Sequence, residues 1–282
     1  MNSKFLQGLK PSTLLRSIRG DKYISETVSN HSVKLNRTVR LEVFRPKNIE
    51  PNYSYPLLIL NDGQDGEALR LKETLDLLWL RHELAPVLVV GVFAGDRMHE
   101  YGVASEKDFA GRGSRAGAYT KFVVEELLPF IKSQYRTDKS KIAIAGFSMG
   151  ALSAFDIAWT HPEVFCKVGA FSGSFWWRNL DASNKAFDEK KNRIIHNLVQ
   201  KEKANKQLKF WFQTGTKDEP FDRNGNGVID SIDDTLDLIS VLTQKGFRPF
   251  HDIIYHEIKG GEHNQYTWAQ AMPHFLKWAF PA

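Results

Sequence analysis

The amino-acid sequence predicts an α/β fold, in which a mostly parallel central sheet is flanked by helices and preceded by an antiparallel hairpin. After Pro46, short apolar runs alternate with longer amphipathic segments, a rhythm typical of βαβ units and a parallel sheet. Before Pro46, residues 23–45 alternate in polarity as strands do, around a turn at Asn36 and Arg37. These two patterns together define the predicted fold class.

Each element follows from this rhythm. Parallel strands are predicted at 56–60, 87–93, 141–145, 168–171, 208–212 and 253–258, and helices at 68–84, 116–135, 151–160, 186–201, 232–245 and 266–280. Two long connections, 95–115 and 172–207, interrupt the alternation. Both leave the carboxyl edge of the sheet, where α/β proteins bind ligands, so we expect them to carry function.

Length and composition are those of a globular chain. The 282 residues are 42% hydrophobic and 25% charged, which excludes disorder, and nothing in the sequence divides residues 1–282 into domains. The formal charge of +5 is scattered, which gives nucleic-acid binding little support. No apolar run reaches the roughly 20 residues of a membrane span, and residues 1–20 lack a signal-peptide core. We expect a cytoplasmic protein, or a periplasmic or secreted one if a leader was removed. The single cysteine, Cys166, lies in an apolar stretch and is expected in the core.

The segment 146–150 matches the motif G-x-S-x-G, with Ser148 at its centre. It follows a predicted strand and precedes a predicted helix, a setting in which a sharp turn holds a serine hydroxyl above the sheet edge. The glycines permit that turn, and the helix amino terminus favours developing negative charge. Ser148 is therefore the candidate nucleophile; the alternative is an ordinary glycine-rich turn.

A serine nucleophile needs a base and an acid that orients the base. His263 lies in a loop between the last predicted strand and the last helix, whereas most other histidines fall within or beside predicted elements. Asp218 follows the strand 208–212, in the chain order Ser, acid, His of α/β hydrolases, and Glu219 is its rival. The oxyanion hole is expected from the backbone N–H groups of Met149 and Gln64.

Substrate contacts are expected from the loops at the same edge. Phe175, Trp176 and Trp177, joined by Phe93, are candidates for the wall of an acyl or aryl pocket; the alternative is that some of them cover the core. Arg97 is a candidate contact for an anionic group of the substrate.

With the triad candidates placed, the chain resembles the esterase D-like family of α/β-hydrolase fold, from about Val39 to the carboxyl terminus. The resembling segments are 60–63, Arg97 with Tyr101, 119–135, 146–150, 161–165, 172–174, and 261–263 with Trp268. That family includes feruloyl and acetyl xylan esterases, siderophore (enterochelin) esterases, S-formylglutathione hydrolases and mycolyltransferases. The hairpin before Arg45 is most similar to the feruloyl and siderophore esterase branches.

The resemblance implies a serine carboxylic ester hydrolase that proceeds through an acyl-enzyme. Expected substrates are small-molecule or polysaccharide-linked esters with aryl (feruloyl-type) or short-chain acyl groups. The alternatives are a siderophore trilactone esterase, an acyltransferase, or a non-catalytic calcium-dependent binding module. No catalytic cofactor, nucleic acid or membrane partner is expected.

Residues 222–233 depart from the family pattern and match an EF-hand loop at positions 1, 3, 5, 6, 8 and 9. Position 12 is aspartate rather than glutamate, which makes bidentate ligation harder. Six oxygen ligands for a structural Ca²⁺ are available, from Asp222, Asn224, Asn226, Asp230, Asp233 and the Val228 carbonyl. We expect this insertion to make the segment bearing Asp218 rigid; the alternative is a polar turn rich in asparagine and glycine.

Overall fold

The structure, a computed structural model, describes residues 21–282, so the expectations about residues 1–20 lie outside it. Eight strands form one sheet in the order β1-β2-β4-β3-β5-β6-β7-β8. The strands are β1 (Tyr23–Ser32), β2 (Arg37–Pro46), β3 (Tyr55–Asn61), β4 (Leu88–Val92), β5 (Thr137–Phe147), β6 (Lys167–Phe171), β7 (Lys209–Lys217) and β8 (Ile253–Glu262).

The helices connect these strands and cover the sheet. They are α1 (Leu71–Leu80), α2 (Arg97–Glu100), α3 (Ala116–Lys121), α4 (Leu128–Gln134), α5 (Met149–Thr160), α6 (Glu189–Asn192), α7 (Ile194–Lys201), α8 (Asp230–Gln244) and α9 (Gln265–Ala279). Within residues 21–282, no helix is long and apolar enough to cross a bilayer.

The strand directions confirm the predicted fold class. β1 pairs with β2, and β2 with β4, in antiparallel fashion, whereas all the other pairs are parallel. Every residue of β3 and β4 is buried, because apolar side chains pack on both faces of the sheet. Helices α1 and α9 cover one face with Leu58 and Leu60, and α3, α5 and α8 cover the other with Leu57 and Ile59.

Two helices and one residue differ from the prediction. The helix predicted at 116–135 contains a π-helical turn, Phe122–Leu127, just before Pro129, which has no N–H to continue the α-helical bonding. The helix predicted at 186–201 is broken at Arg193, whose backbone is extended and whose guanidinium reaches Asp234. Cys166 is only partly buried, at the amino-terminal end of β6, rather than in the core, and its thiol donates to the Ile142 carbonyl over 3.3 Å.

Candidate active site

Ser148 occupies the sharp turn between β5 and α5. Its φ of 53° and ψ of −119° are strained for a residue with a side chain, and such strain is typical of functional sites. The turn requires glycine, because a β-carbon at Gly146 would lie 2.4 Å from the carbonyl oxygen of Gly150. The Ser148 amide donates to the Phe171 carbonyl of β6 over 2.9 Å, which ties the turn to the neighbouring strand.

Asp218 and His263 are brought together by strand pairing. β7 and β8 are parallel and their final pair is Lys217 with Glu262, so the next residue of each strand emerges beside the other. Asp218 Oδ1 lies 4.0 Å from His263 Nδ1, and no ion pair joins His263 to Glu219. The Asp218 carboxylate is fully buried, and its Oδ2 accepts the Gly215 N–H over 2.9 Å. Its Oδ1 accepts no hydrogen bond of ordinary length.

Desolvation is the largest influence on the pKa values of this pair, although the His263 side chain keeps 37% of its surface exposed while that of Asp218 is buried. Desolvation lowers the pKa of His263 below its ordinary value of 6.5, the negative charge of Asp218 opposes that shift, and the positive charge of Arg97 adds to it. Desolvation raises the pKa of Asp218, while the Gly215 N–H and the nearby Ser172 hydroxyl oppose the shift. At 4.0 Å the pair gains less from mutual attraction than burial costs each charged form.

Three residues around the pair were not singled out as site residues from the sequence. The Ser174 hydroxyl lies 3.2 Å from the Ser148 hydroxyl, and the Ser174 amide donates to the Ser148 carbonyl over 3.1 Å. The Trp268 indole donates to Ser172 Oγ over 3.0 Å and packs edge-on to the His263 ring, with centroids 5.3 Å apart. The only sequence signal for them is the small-residue turn 172–174 and a tryptophan one helical turn into α9.

The loop after β3, which contains Gln64, forms a single 3₁₀ turn, Gly63–Asp65, against β4. A β-carbon at Gly63 would lie 2.2 Å from the backbone of Gly91, so the approach depends on glycine. The Gln64 side chain is held at both ends, because its Nε2 donates to Asp62 over 3.0 Å and its Oε1 accepts from the Ala94 amide over 3.2 Å. Met149, the other predicted oxyanion donor, is the first residue of α5.

A polar network that the sequence did not predict joins this loop to the Ser148 turn. Asn61 donates to the Gly150 carbonyl over 2.7 Å. Arg97 grips both carboxylate oxygens of buried Asp62, at 2.9 and 3.0 Å, and its Nη2 also donates to the Phe147 carbonyl over 3.1 Å. Arg97, predicted as a substrate contact, is therefore already paired.

The network continues into two buried tyrosines. The Tyr101 hydroxyl accepts from the Asp62 amide over 3.0 Å, and the Tyr119 hydroxyl donates to Asn61 over 2.7 Å. Burial raises the pKa of both tyrosines, which keeps both hydroxyls protonated. The Tyr119 side chain of α3 and the Tyr101 side chain just after α2 thus hold the loop after β3 in place.

The predicted pocket wall is wrong for Phe175 and Trp177. Both are fully buried, since Phe175 packs against Phe155 and Phe212, and Trp177 packs against two glycines of the 95–115 loop. Their apolar area therefore covers the core and presents no surface to a substrate. Phe93 is partly exposed, but the Arg40 guanidinium lies over its ring, 4.5 Å from the centroid.

Trp176, by contrast, lines a cleft of about 480 Å³ formed by the two long loops and the segment 219–230. The other residues that line the cleft are Phe109, Arg112, Arg178, Ala182, Glu219, Phe221, Asp222, Arg223 and Asp230. Phe109 and Phe221 are exposed aromatic rings that the sequence did not single out. The cleft adjoins the candidate site along the chain, because Trp176 is two residues from Ser174 and Glu219 follows Asp218.

The predicted calcium loop folds around Asp222, whose carboxylate accepts the backbone N–H groups of Gly225, Asn226 and Gly227 over 2.8 to 3.2 Å. Asp233 accepts from the side-chain amides of Asn224 and Asn226 over 3.0 and 2.7 Å. Asp230 instead accepts the backbone N–H of Arg223 over 2.9 Å and lies 3.2 Å from its guanidinium. Across residues 21–282, no three His, Cys, Asp or Glu side chains form a group that could hold a metal.

A family model described as "Putative esterase" matches residues 32–279. The chain belongs to this esterase family. The esterase is therefore a carboxylic ester hydrolase, as the sequence predicted.

Relatives of the esterase include the ferri-bacillibactin esterase BesA of Bacillus subtilis, 24% identical over 238 residues, 76% of each chain. A solved ferulic acid esterase superposes with a TM-score of 0.69 at 22% identity, covering 92% of this chain and 98% of that one. An enterobactin esterase from Shigella flexneri, crystallised in the presence of enterobactin, superposes with a TM-score of 0.71 at 20% identity, covering 91% and 58%. At these identities the two solved structures establish the shared fold.

Replacing Asp218 by Asn tests which acid orients His263. Asn keeps the shape but supports the wrong imidazole tautomer and leaves the imidazolium without a counter-charge, so we expect kcat to fall by roughly 10⁴-fold. Glu219→Gln is the matched control, and we expect it to keep kcat within about tenfold because Glu219 makes no contact with His263. A loss confined to Glu219→Gln, with Asp218→Asn near the unmodified rate, would assign the role to Glu219.

The lowered pKa of His263 predicts the acid limb of the pH profile. His263 must be neutral to accept a proton, and burial disfavours its charged form, so the neutral form persists below the ordinary value of 6.5. We expect kcat/KM, measured from pH 4 to 9 with a neutral ester, to lose half its maximum at a pH below about 6.5. An acid limb above that value would contradict the burial argument.

Proposed function

We propose that the esterase cleaves esters with Ser148 as nucleophile, His263 as base and Asp218 as the orienting acid. The observation that carries this proposal is the strand register that sets Asp218 beside His263 at the sheet edge bearing the strained Ser148 turn. Under this proposal, three separate segments of the chain would supply the three chemical roles at one edge of the sheet.

The reaction follows from these roles. Ser148 Oγ attacks the ester carbonyl while His263 takes its proton, and the N–H groups of Gln64 and Met149 stabilise the oxyanion. Collapse of the tetrahedral intermediate breaks the bond to the alcohol, which receives the proton from His263 and leaves an acyl-enzyme. Water, activated by His263, then attacks the acyl carbonyl, and the second collapse releases the carboxylic acid and restores the Ser148 hydroxyl.

For the substrate, we propose aryl esters of the feruloyl type, with short-chain acyl esters also accepted. The cleft supports this choice, because Trp176, Phe109 and Phe221 offer aromatic surface to a planar group. The name of one similar structure, a ferulic acid esterase, favours the same aromatic class. A siderophore trilactone is the second candidate, supported by the relatives that act on ferri-bacillibactin and enterobactin.

Replacement of Ser148 by Ala tests the nucleophile. We expect hydrolysis of p-nitrophenyl acetate and butyrate to fall by at least about 10⁴-fold, because only binding and the oxyanion hole remain. The exposed Ser140→Ala variant, purified in the same way, controls for contaminating esterases. Equal rates in the two variants would overturn serine catalysis and favour a non-catalytic binding module.

We also propose that residues 222–233 bind a structural Ca²⁺. The donor set fits a hard cation, since Asp222, Asn224, Asn226 and Asp233 converge through bonds to one another, and Asp222 and Asp233 both bond to Asn226. The Val228 carbonyl and Asp230 would complete six ligands, if Asp230 leaves Arg223. Bound calcium would stiffen the chain between Asp218 and α8 and take no part in acyl transfer.

Chelation tests this ion. We expect EDTA to lower the melting temperature and added Ca²⁺ to restore it, because a ligand that binds only the folded state stabilises it. Asp222→Asn together with Asp233→Asn should melt at one temperature with or without calcium. If the melting temperature of the unmodified esterase does not respond to EDTA or to millimolar Ca²⁺, the loop is an ordinary polar turn.

A further inference from the structure

We propose that Arg97 is a positioning residue, which holds the two halves of the oxyanion hole at a fixed separation. One guanidinium bonds to Asp62, two residues before Gln64, and to the carbonyl of Phe147, two residues before Met149. The two proposed oxyanion donors belong to different strand-to-helix connections, after β3 and after β5. The inference rests on the proposed function, because it assigns a role within that site.

The geometry requires a planar, forked cation. Arg97 Nε and Nη2 meet the two Asp62 oxygens at 2.9 and 3.0 Å, and Nη2 reaches the Phe147 carbonyl at 3.1 Å. A lysine ammonium carries the same charge on one atom and lacks the rigid fork that spans both partners. The buried carboxylate of Asp62 would be costly without its partner, so the pairing is strongly favoured.

Both ends of this bridge lie next to strained backbone. Asp62 has φ 60° and ψ 45°, a left-handed conformation, and Ser148 follows Phe147 with φ 53°. Strained residues relax when the contacts that hold them are removed. A displacement of the Gln64 N–H by about 1 Å from the oxyanion would weaken transition-state stabilisation without closing the substrate cleft.

The same arginine acts on the base through its charge. The charged groups that shift the pKa of His263 are Asp218, just after β7, and Arg97, on α2. Glu262, the last residue of β8 and the neighbour of His263, accepts a hydrogen bond from the Asn264 side-chain amide. The positive charge of Arg97 lowers the pKa of His263, so its removal should raise that pKa. A contact that served only to stabilise the fold would leave the pH profile unchanged.

The test compares Arg97→Gln and Arg97→Lys with Arg37→Gln. Arg37 is the matched control because it also grips a buried carboxylate with two bonds, that of Glu100 at 2.8 and 2.6 Å, at the other end of α2. Steady-state kinetics use p-nitrophenyl acetate and a p-nitrophenyl ester whose acyl group carries a carboxylate. Melting temperatures of all variants, and the rate of Ser148→Ala, are measured alongside.

We expect Arg97→Gln to lower kcat by about 10²-fold on both esters while KM stays within about threefold. Arg97→Lys should lose most of the kcat that Arg97→Gln loses, because lysine lacks the fork. It should keep the pH profile of the unmodified esterase, because it keeps the positive charge, whereas Arg97→Gln should shift the acid limb to higher pH. Arg37→Gln should melt at a lower temperature with kcat within about twofold. Asp62→Asn should lower kcat comparably, and the double variant with Arg97→Gln should be no worse than either single variant.

Other outcomes separate the two proposals. If Arg97→Gln raises KM only for the carboxylate-bearing ester and Arg97→Lys restores it, Arg97 binds substrate and the positioning role falls while serine catalysis stands. If Arg37→Gln loses as much kcat as Arg97→Gln, the effect of Arg97 reflects general stability of the fold, and the positioning role is overturned. If the unmodified esterase is no faster than Ser148→Ala, the proposed function falls first, and the positioning role falls with it.

Discussion

The close approach of β7 and β8 at their carboxyl ends is the constraint on which the candidate site depends. The regular ladder shifts between Gly215 and Lys217, and a β-carbon at Gly215 would lie 2.3 Å from the carbonyl oxygen of Gly261. Irregularities of this kind re-aim side chains next to active sites. Because both strands end there, Asp218 and His263 leave the sheet side by side. A side chain at residue 215 would separate them, whatever the quality of the remaining core.

Glycine also permits close contact between backbone segments at the Ser148 turn and at the loop after β3, where a β-carbon would not fit. The strain at Asp62 and Ser148 is offset by buried polar contacts, including those of Asn61, Tyr101 and Arg97. Rigidity at this edge therefore comes from a network of specific bonds rather than from hydrophobic packing, which the sheet supplies beneath it. Such networks are costly when incomplete, so each member supports the others.

The sequence predicts most of this architecture because its signals are local. Strand alternation, helical periodicity and the 146–150 motif each occupy fewer than about 20 neighbouring residues, and the structure contains the elements they indicate. The pairing of Arg97 with Asp62 spans 35 residues, and nothing near either residue marks it. The burial of Phe175 and Trp177 was likewise invisible, because a run of aromatic residues on a loop does not reveal which of them turns inward. Only Trp176 of that run faces the cleft.

The separation of His263 from Asp218 has a consequence for the proposed chemistry. In the resting state desolvation lowers the pKa of the partly exposed His263 imidazole, and Asp218 Oδ1 lacks a hydrogen bond of ordinary length. In the proposed mechanism, attack by Ser148 transfers a proton to His263, and the pair then becomes an ion pair between a buried carboxylate and a partly exposed imidazole. The buried carboxylate, which already accepts the Gly215 N–H, would gain a charged partner at that moment, so the interaction would be stronger in the transition state than in the ground state. Interactions with that asymmetry lower the barrier, whereas a tight resting pair would stabilise both states alike.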